Sequence, residues 1–319
     1  MISIEHLSHV YPATRKLPAR TAVADFSLHV NTGEFVILSG PNGSGKSTLF
    51  RILTGMALPS SGKVSISGYD LLKSPELIRP LLGVVFQSPA LDKHLTVNEN
   101  LKIHAALYGI DSKDFEIRRN EALAWTDIKD RLDQKVDTLS GGQARQVELA
   151  KVLMTNPRLL LLDEPTTGLD PASRRNFIST LRRIQQERGM TVLMTSHVFT
   201  EAEDVDRVAI MKEGHLLAWD TPAALRSMIG KEMLVLQPTD SDKVAHILRS
   251  EMGLSVRQSG DELRLDETEN GVGLPLAEKI LERCRADILS LAIKRPDLED
   301  VFVYVTSRAP ASSVTEQAQ

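Results

Sequence analysis

Residues Gly40 to Ser47 read GPNGSGKS, which fits G-x-x-x-x-G-K-[ST], with the strand-like EFVILSG before it and the helical STLFRILTG after it. Glycines at these positions let successive backbone N–H groups curl around phosphate oxygens, and the helix start adds its positive end. In this reading Gly40, Asn42, Gly43, Gly45 and Thr48 shape a phosphate cradle. Lys46 bridges the β- and γ-phosphates of a nucleotide and the Ser47 hydroxyl binds Mg²⁺. Such a loop needs a carboxylate for the metal at the carboxyl end of a neighbouring strand. RLLLLDEPTTGLD supplies Asp163 behind four leucines, and Glu164, next along, can polarise a water in line with the γ-phosphate. A third stretch, LSGGQ at 139 to 143, places two glycines behind a serine just before a helical pattern. That is costly in backbone entropy unless bare N–H groups are needed there.

These residues require strands that aim them and helices that cover the strands. Strand-like runs occur at ISIEHLSHVY, ADFSLHV, EFVILSG, KVSISG, LLGVVFQ, RLLLLDE, TVLMTSH and RVAIMKEGHLLAW. LLLL and TVLM are continuously apolar, as strands covered on both faces should be, so the core is predicted to be parallel α/β. The alternating first strands, with NTG between two of them, and the EG turn between IMK and HLLAW predict antiparallel hairpins flanking that core. The predicted fold is a P-loop NTPase core with a mixed sheet and antiparallel flank. A helical insert spans about 88–155, with a TVNE capping box at Thr96 to Glu99. After Asp220 the order βαββαβ predicts a small ferredoxin-like α+β domain. The expected boundaries are 1–220, 221–308, and a tail 309–319 too poor in apolar residues to fold.

A net charge of -4 argues against broad nucleic-acid binding. No apolar run approaches the roughly 20 residues that span a bilayer, so at a membrane another chain must supply the spans. The single cysteine, Cys284, cannot form an internal disulfide, fits a reduced compartment, and reads as a small interior residue.

GPNGSGKS, LSGGQ, LLLLDEP and GLD, in this order, resemble the nucleotide-binding subunits of ABC transporters over about residues 1 to 220. The resemblance implies an ATPase with ATP and Mg²⁺ as cofactors, in which two copies pair head to tail. Each LSGGQ then caps the nucleotide held by the other copy, through Ser140, the N–H groups of Gly141 and Gly142, and Gln143, at a helix start facing the γ-phosphate. It further implies that Tyr11 stacks on adenine, although the following segment TRKLPART is longer than usual. Gln87 would contact Mg²⁺ and link the core to the helical insert, His197 would hydrogen-bond the γ-phosphate and hold the attacking water, and Asp170 would cross the dimer interface. After LSGGQ, Ala144 stands where the family often has a basic residue, with Arg145 next; little effect on hydrolysis is expected.

The implied partners are an integral membrane permease and a second copy of the chain, with a cytoplasmic location at the inner face of the membrane and no nucleic acid. The ending RPDLEDVFVYVT resembles the drug, polysaccharide and lipid export branch. An importer ATPase, an ABC-type ATPase acting on ribosomes or DNA, and a non-hydrolysing regulatory module are the alternatives. A helix packing Leu298, Val301 and Phe302 onto the small domain is the other reading of that ending.

Overall fold

The computed structural model describes residues 1–14, 17–266 and 273–308. Its described residues contain no helix long and apolar enough to cross a membrane. The chain divides into two compact units, Met1–Trp219 and Asp220–Gln319. The first contains β1 (Ile2–Tyr11), β2 (Arg20–Val30), β3 (Phe35–Ser39), α1 (Lys46–Leu53), β4 (Ser61–Ile66), β5 (Tyr69–Asp70), α2 (Pro75–Ile78) and β6 (Leu82–Val85). It continues with α3 (Val97–Leu107), α4 (Ser112–Leu123), α5 (Gly141–Leu153), β7 (Leu159–Asp163), α6 (Pro171–Arg188), β8 (Thr191–Ser196), β9 (Arg207–Lys212) and β10 (His215–Asp220).

β3, β7 and β8 are buried at every position, which a strand achieves only with both faces covered. They lie inside a six-stranded sheet of order β10-β9-β3-β8-β7-β6, parallel from β9 to β6. Leu159 to Leu162 of β7 are all fully buried, each contributing about 1.5–3 kcal/mol by leaving water. Glu213 and Gly214, both at positive φ (51° and 85°), make the tight turn by which β10 returns beside β9. The predicted EG hairpin is therefore present.

The NTG hairpin is not. β2 pairs with β1 in a separate four-stranded antiparallel sheet of order β2-β1-β4-β5, and β3 pairs in parallel with β8 and β9. Residues 31–34 instead carry the chain from one sheet to the other. The physical reason lies in the two burial patterns: β2 alternates toward its inner end and suits a one-sided sheet, whereas all five residues of β3 need cover on both faces.

Between β6 and β7 the chain is helical. Thr96 caps α3 with both bonds of the capping box to Glu99, and Asp111 caps α4.

The second unit contains α7 (Pro222–Ser227), β11 (Met233–Pro238), α8 (Ser241–Ser250), β12 (Val256–Ser259), β13 (Glu262–Asp266), α9 (Gly273–Cys284), β14 (Ile288–Lys294) and α10 (Leu298–Arg308). Its sheet order, β12-β13-β11-β14, is antiparallel throughout and matches the ferredoxin-like arrangement. Leu234, Leu236, Leu263 and Leu265 point to one face, into a core shared with Val244 and Leu248 of α8 and Ile280 of α9. Arg264 points to the opposite face by strand alternation. There it meets Asp300 of α10 at 2.8 Å, and Lys294 reaches the same carboxylate at 2.8 Å. Leu298 and Val301 are buried and Phe302 half-buried, so α10 packs within this unit. Cys284 is an interior residue whose thiol burial pushes up. The tail 309–319 lies outside the described residues, as do Arg15 and Lys16 of TRKLPART.

Candidate active site

Parallel register sets the site. Ser39 of β3 is level with Ser196 of β8, and Asp163 of β7 is level with Thr195. The segments leaving β3, β8, β7 and β6 therefore emerge from one sheet edge, carrying in turn the GPNGSGKS loop, His197, Glu164 and Gln87.

The loop requires its glycines. Gly40 and Gly45 both have positive φ (154° and 105°). A methyl group at Gly40 would collide with the Met211 carbonyl, and one at Gly45 with the Ala22 carbonyl. Gly45 is also the N-cap of α1, so the loop runs straight into a helix N-terminus. Ser44 Oγ is buried inside this loop with no protein partner, an orphaned donor that fits a phosphate cradle. Asn42, Gly43 and Ser47 are exposed and Thr48 is half-buried at its rim. Tyr11 Oη lies 3.2 Å from Thr48 Oγ1, which brings the tyrosine beside the cradle.

Lys46 is only 3% exposed, and its Nζ donates to the carbonyls of Gly40 at 2.7 Å and Pro41 at 3.0 Å. Burial pushes its pKa down, opposed by the charges of Glu164 and then Asp163. The Lys46–Glu164 pair is long, at 3.9 Å, which accounts for burial prevailing. Burial pushes the Asp163 carboxyl up, and a 2.7 Å hydrogen bond from Thr195 Oγ1 opposes that rise.

Glu164 is held in an unusual backbone conformation. Its φ is +42°, a left-handed conformation costing an acidic side chain about 1–3 kcal/mol, of the kind found where surrounding structure over-determines a working residue. What holds it is visible: its N–H donates to Thr195 Oγ1 at 2.9 Å. Gln87 Nε2 and Thr167 Oγ1 donate to its Oε2 at 3.2 and 3.3 Å, and His197 Nδ1 lies 3.3 Å from the same oxygen. Lys46, Gln87, Asp163, Glu164 and His197 thus converge on one site.

Ser140, Gly141, Gly142, Gln143 and Asp170 gather separately, at the N-termini of α5 and α6. Ser140 and Gln143 form a reciprocal capping box: Gln143 N–H donates to Ser140 Oγ at 3.3 Å, and Ser140 N–H donates to Gln143 Oε1 at 3.0 Å. Asp170 caps α6 by accepting from the N–H groups of Ala172 and Ser173 at 2.9 and 3.0 Å. The serine's bonds hold its carboxyl below the usual range. The two glycines differ. A Cβ on Gly142 would meet Ser173 Oγ at 2.8 Å, whereas one on Gly141 would find only Leu169 Cδ2 at 3.7 Å. Packing inside the chain accounts for Gly142 and leaves Gly141 unexplained.

Sequence reasoning missed Thr195, whose signal was a polar residue at the end of an otherwise apolar strand. It assigns no contact to Arg145, the residue after Ala144: Arg145 is 3% exposed and bonds the carbonyls of Phe86 and Gln87, each at 2.7 Å.

The ABC transporter family pattern matches residues 23–167. A Nod factor export ATP-binding protein of Neorhizobium galegae is 35% identical over 91% of this chain and 82% of its own length. A daunorubicin/doxorubicin resistance ATP-binding protein of Streptomyces peucetius is 32% identical over 99% of this chain and 96% of its own. A dimeric ATP-binding cassette solved in a post-hydrolysis state with ADP and Pi superposes with a TM-score of 0.62, at 28% identity, covering 69% of this chain and 98% of that one. With a phosphate cradle, a strained carboxylate opposite its lysine, and relatives similar from end to end, the chain belongs to the ABC transporter family as one of its ATP-binding proteins, and it is an ATPase.

Proposed function

We propose that the protein is the ATP-hydrolysing subunit of an exporter, that two copies close head to tail around two ATP, and that a separate membrane subunit carries the substrate. The observation that carries this reading is Glu164, held in a strained conformation with Oε2 fixed by Gln87, Thr167 and His197, beside Lys46 of the cradle. Glu164 takes a proton from water in line with the γ-phosphate, and His197 and Gln87 hold that water and the carboxylate in place. Lys46 and the loop N–H groups neutralise the phosphates, and Tyr11 stacks on the base.

Ser47, Asp163 and Gln87 would hold Mg²⁺. Among the described residues no three or more His, Cys, Asp or Glu gather as a metal cage. One hydroxyl, one carboxylate and one amide fit an ion that takes its remaining ligands from phosphate and water. Bound there, it would screen charge on the β- and γ-oxygens.

The lid is the LSGGQ turn of the second copy, with Gly141 the position at which a close approach explains the glycine. The named activities of the relatives, Nod factor export and resistance to daunorubicin and doxorubicin, favour export. Ile103 and Leu107 of α3 and Tyr108 directly after it, all exposed, are apolar surface suited to a helix of the membrane subunit.

Glu164→Gln tests the reading. Turnover should fall by about 10²–10⁴ while ATP binding persists, and the ATP-bound variant should elute as a dimer on gel filtration. Wild-type turnover in Glu164→Gln would refute the base assignment, and a strictly monomeric elution would refute the shared-nucleotide reading.

A further inference from the structure

Helix α5 begins with the LSGGQ turn, and one of its faces grips the loop that carries Gln87. Arg145 Nη1 and Nη2 donate to the carbonyls of Phe86 and Gln87, and Arg145 pairs with Glu148 at 2.6 Å. Glu148 Oε1 accepts from Ala90 N–H at 2.7 Å, and Lys151 Nζ donates to the Ala90 carbonyl at 2.8 Å. Positions 145, 148 and 151 recur every third residue and share a helix face. Arg145 and Glu148 are 3% and 2% exposed, so these are buried, charge-assisted bonds with little freedom to slide. At the other end of the same loop, Gln87 Nε2 donates to Glu164 Oε2. A continuous set of hydrogen bonds therefore runs from the helix that presents the lid to the carboxylate of the chain's own site.

We propose that Arg145 is a positioning residue: by fixing the main chain at Gln87 it makes the LSGGQ helix and the Glu164 site move together, so that the lid closing on one nucleotide is coupled to hydrolysis of the other. This rests on the roles assigned above to Gln87, Glu164 and the LSGGQ turn. A lysine at 145 keeps the charge but lacks the planar fork by which arginine serves the Phe86 and Gln87 carbonyls and Glu148 at once, so it holds the loop less rigidly. A buried Glu148 without its partner would confuse loss of coupling with loss of folding. The informative variants are therefore Arg145→Lys, and Arg145→Met with Glu148→Leu, which removes the whole pair.

The full-length variants are compared by kcat and KM for ATP, fluorescent-nucleotide binding and thermal unfolding, alone and combined with Gln87→Ala. The expected result is a fall in kcat of about 10- to 100-fold with KM and nucleotide affinity unchanged, the scale of misplacing a catalytic group by about 1 Å. Arg145→Lys should recover part of it. With Gln87→Ala present, removing the Arg145–Glu148 pair should cost little more, since both act through one element. Multiplied effects in the combined variant, or wild-type kcat in both Arg145 variants while Gln87→Ala is slow, overturn the proposal alone. Wild-type kcat in Gln87→Ala removes the role of Gln87, and the proposal with it.

Discussion

The paired glycines of LSGGQ allow the lid to be tested apart from the fold that presents it. Gly141 is the first residue of α5, lies outside the left-handed region, and would gain only a 3.7 Å contact from a methyl group. Gly141→Ala should therefore stabilise the free chain through helix propensity, by about 0.5 kcal/mol. For a unit of this size that is a rise in Tm of about 1–2 °C. Gly142→Ala should do the opposite. Its Cβ would lie 2.8 Å from Ser173 Oγ and 3.0 Å from Ser173 Cβ, so α6 must shift or the serine must turn, at a cost of about 1–3 kcal/mol. If the turn closes on the nucleotide of a second copy, Gly141→Ala should lose function despite its better fold. In the Glu164→Gln background the ATP-dependent dimer should then weaken, because the added methyl would stand in front of the helix N-terminus proposed to meet the γ-phosphate. The assays are thermal unfolding without nucleotide, then gel filtration and ATPase rate with ATP and magnesium. A Gly141→Ala protein that is more stable, dimerises normally and hydrolyses ATP at the wild-type rate would show that this position faces nothing, and the lid assignment would fall.

Lys46→Ala should abolish nucleotide binding, measured by fluorescent-nucleotide titration, and unchanged affinity would remove its assigned contact. Asp163→Asn should abolish turnover yet stabilise the nucleotide-free protein at neutral pH. Burial raises the Asp163 pKa above its ordinary 3.8, so its folded-state contribution is fully present below that pH and is lost as pH rises through the raised value. The gain in Tm should accordingly appear at pH 7 and vanish below pH 4. Asp300→Ala should destabilise the second unit by about 2–3 kcal/mol in urea unfolding, since Asp300 is 1% exposed and its loss leaves Arg264 with Glu262 alone and Lys294 with Asp297 alone among the described residues.

Much of the site was legible because its motifs sit where chain chemistry has few alternatives. A run of buried leucines can deliver Asp163 only to a strand end, and glycines at 40 and 45 are forced by the carbonyls of Met211 and Ala22, which no other residue could approach. The errors have a common physical origin in pairings between distant segments. NTG looks like a hairpin turn locally, and only the two-sided burial of β3 sends it into a different sheet from β2. Thr195 bonds Asp163 and the Glu164 N–H across two parallel strands, a register that single-strand periodicity does not contain. Arg145 bonds carbonyls 59 and 58 positions away, contacts that its place after LSGGQ does not reveal.

The same contacts separate residues whose substitution reports on chemistry from those whose substitution reports on folding. Ser140, Gln143 and Asp170 all belong to motifs, yet each already has work within the chain as a helix cap, worth about 1 kcal/mol. Loss of activity on truncating them is therefore ambiguous between a frayed helix and a missing lid contact. Glu164 is the opposite case. Its backbone is held against its own preference by Thr195 and its carboxylate by three side chains, so the fold spends stability at that position rather than drawing it. Positive φ alone does not mark chemistry, since Glu213 adopts it in a plain turn. What sets Glu164 apart from the motif residues around it is that its carboxylate is also gripped by Gln87, Thr167 and His197 beside Lys46.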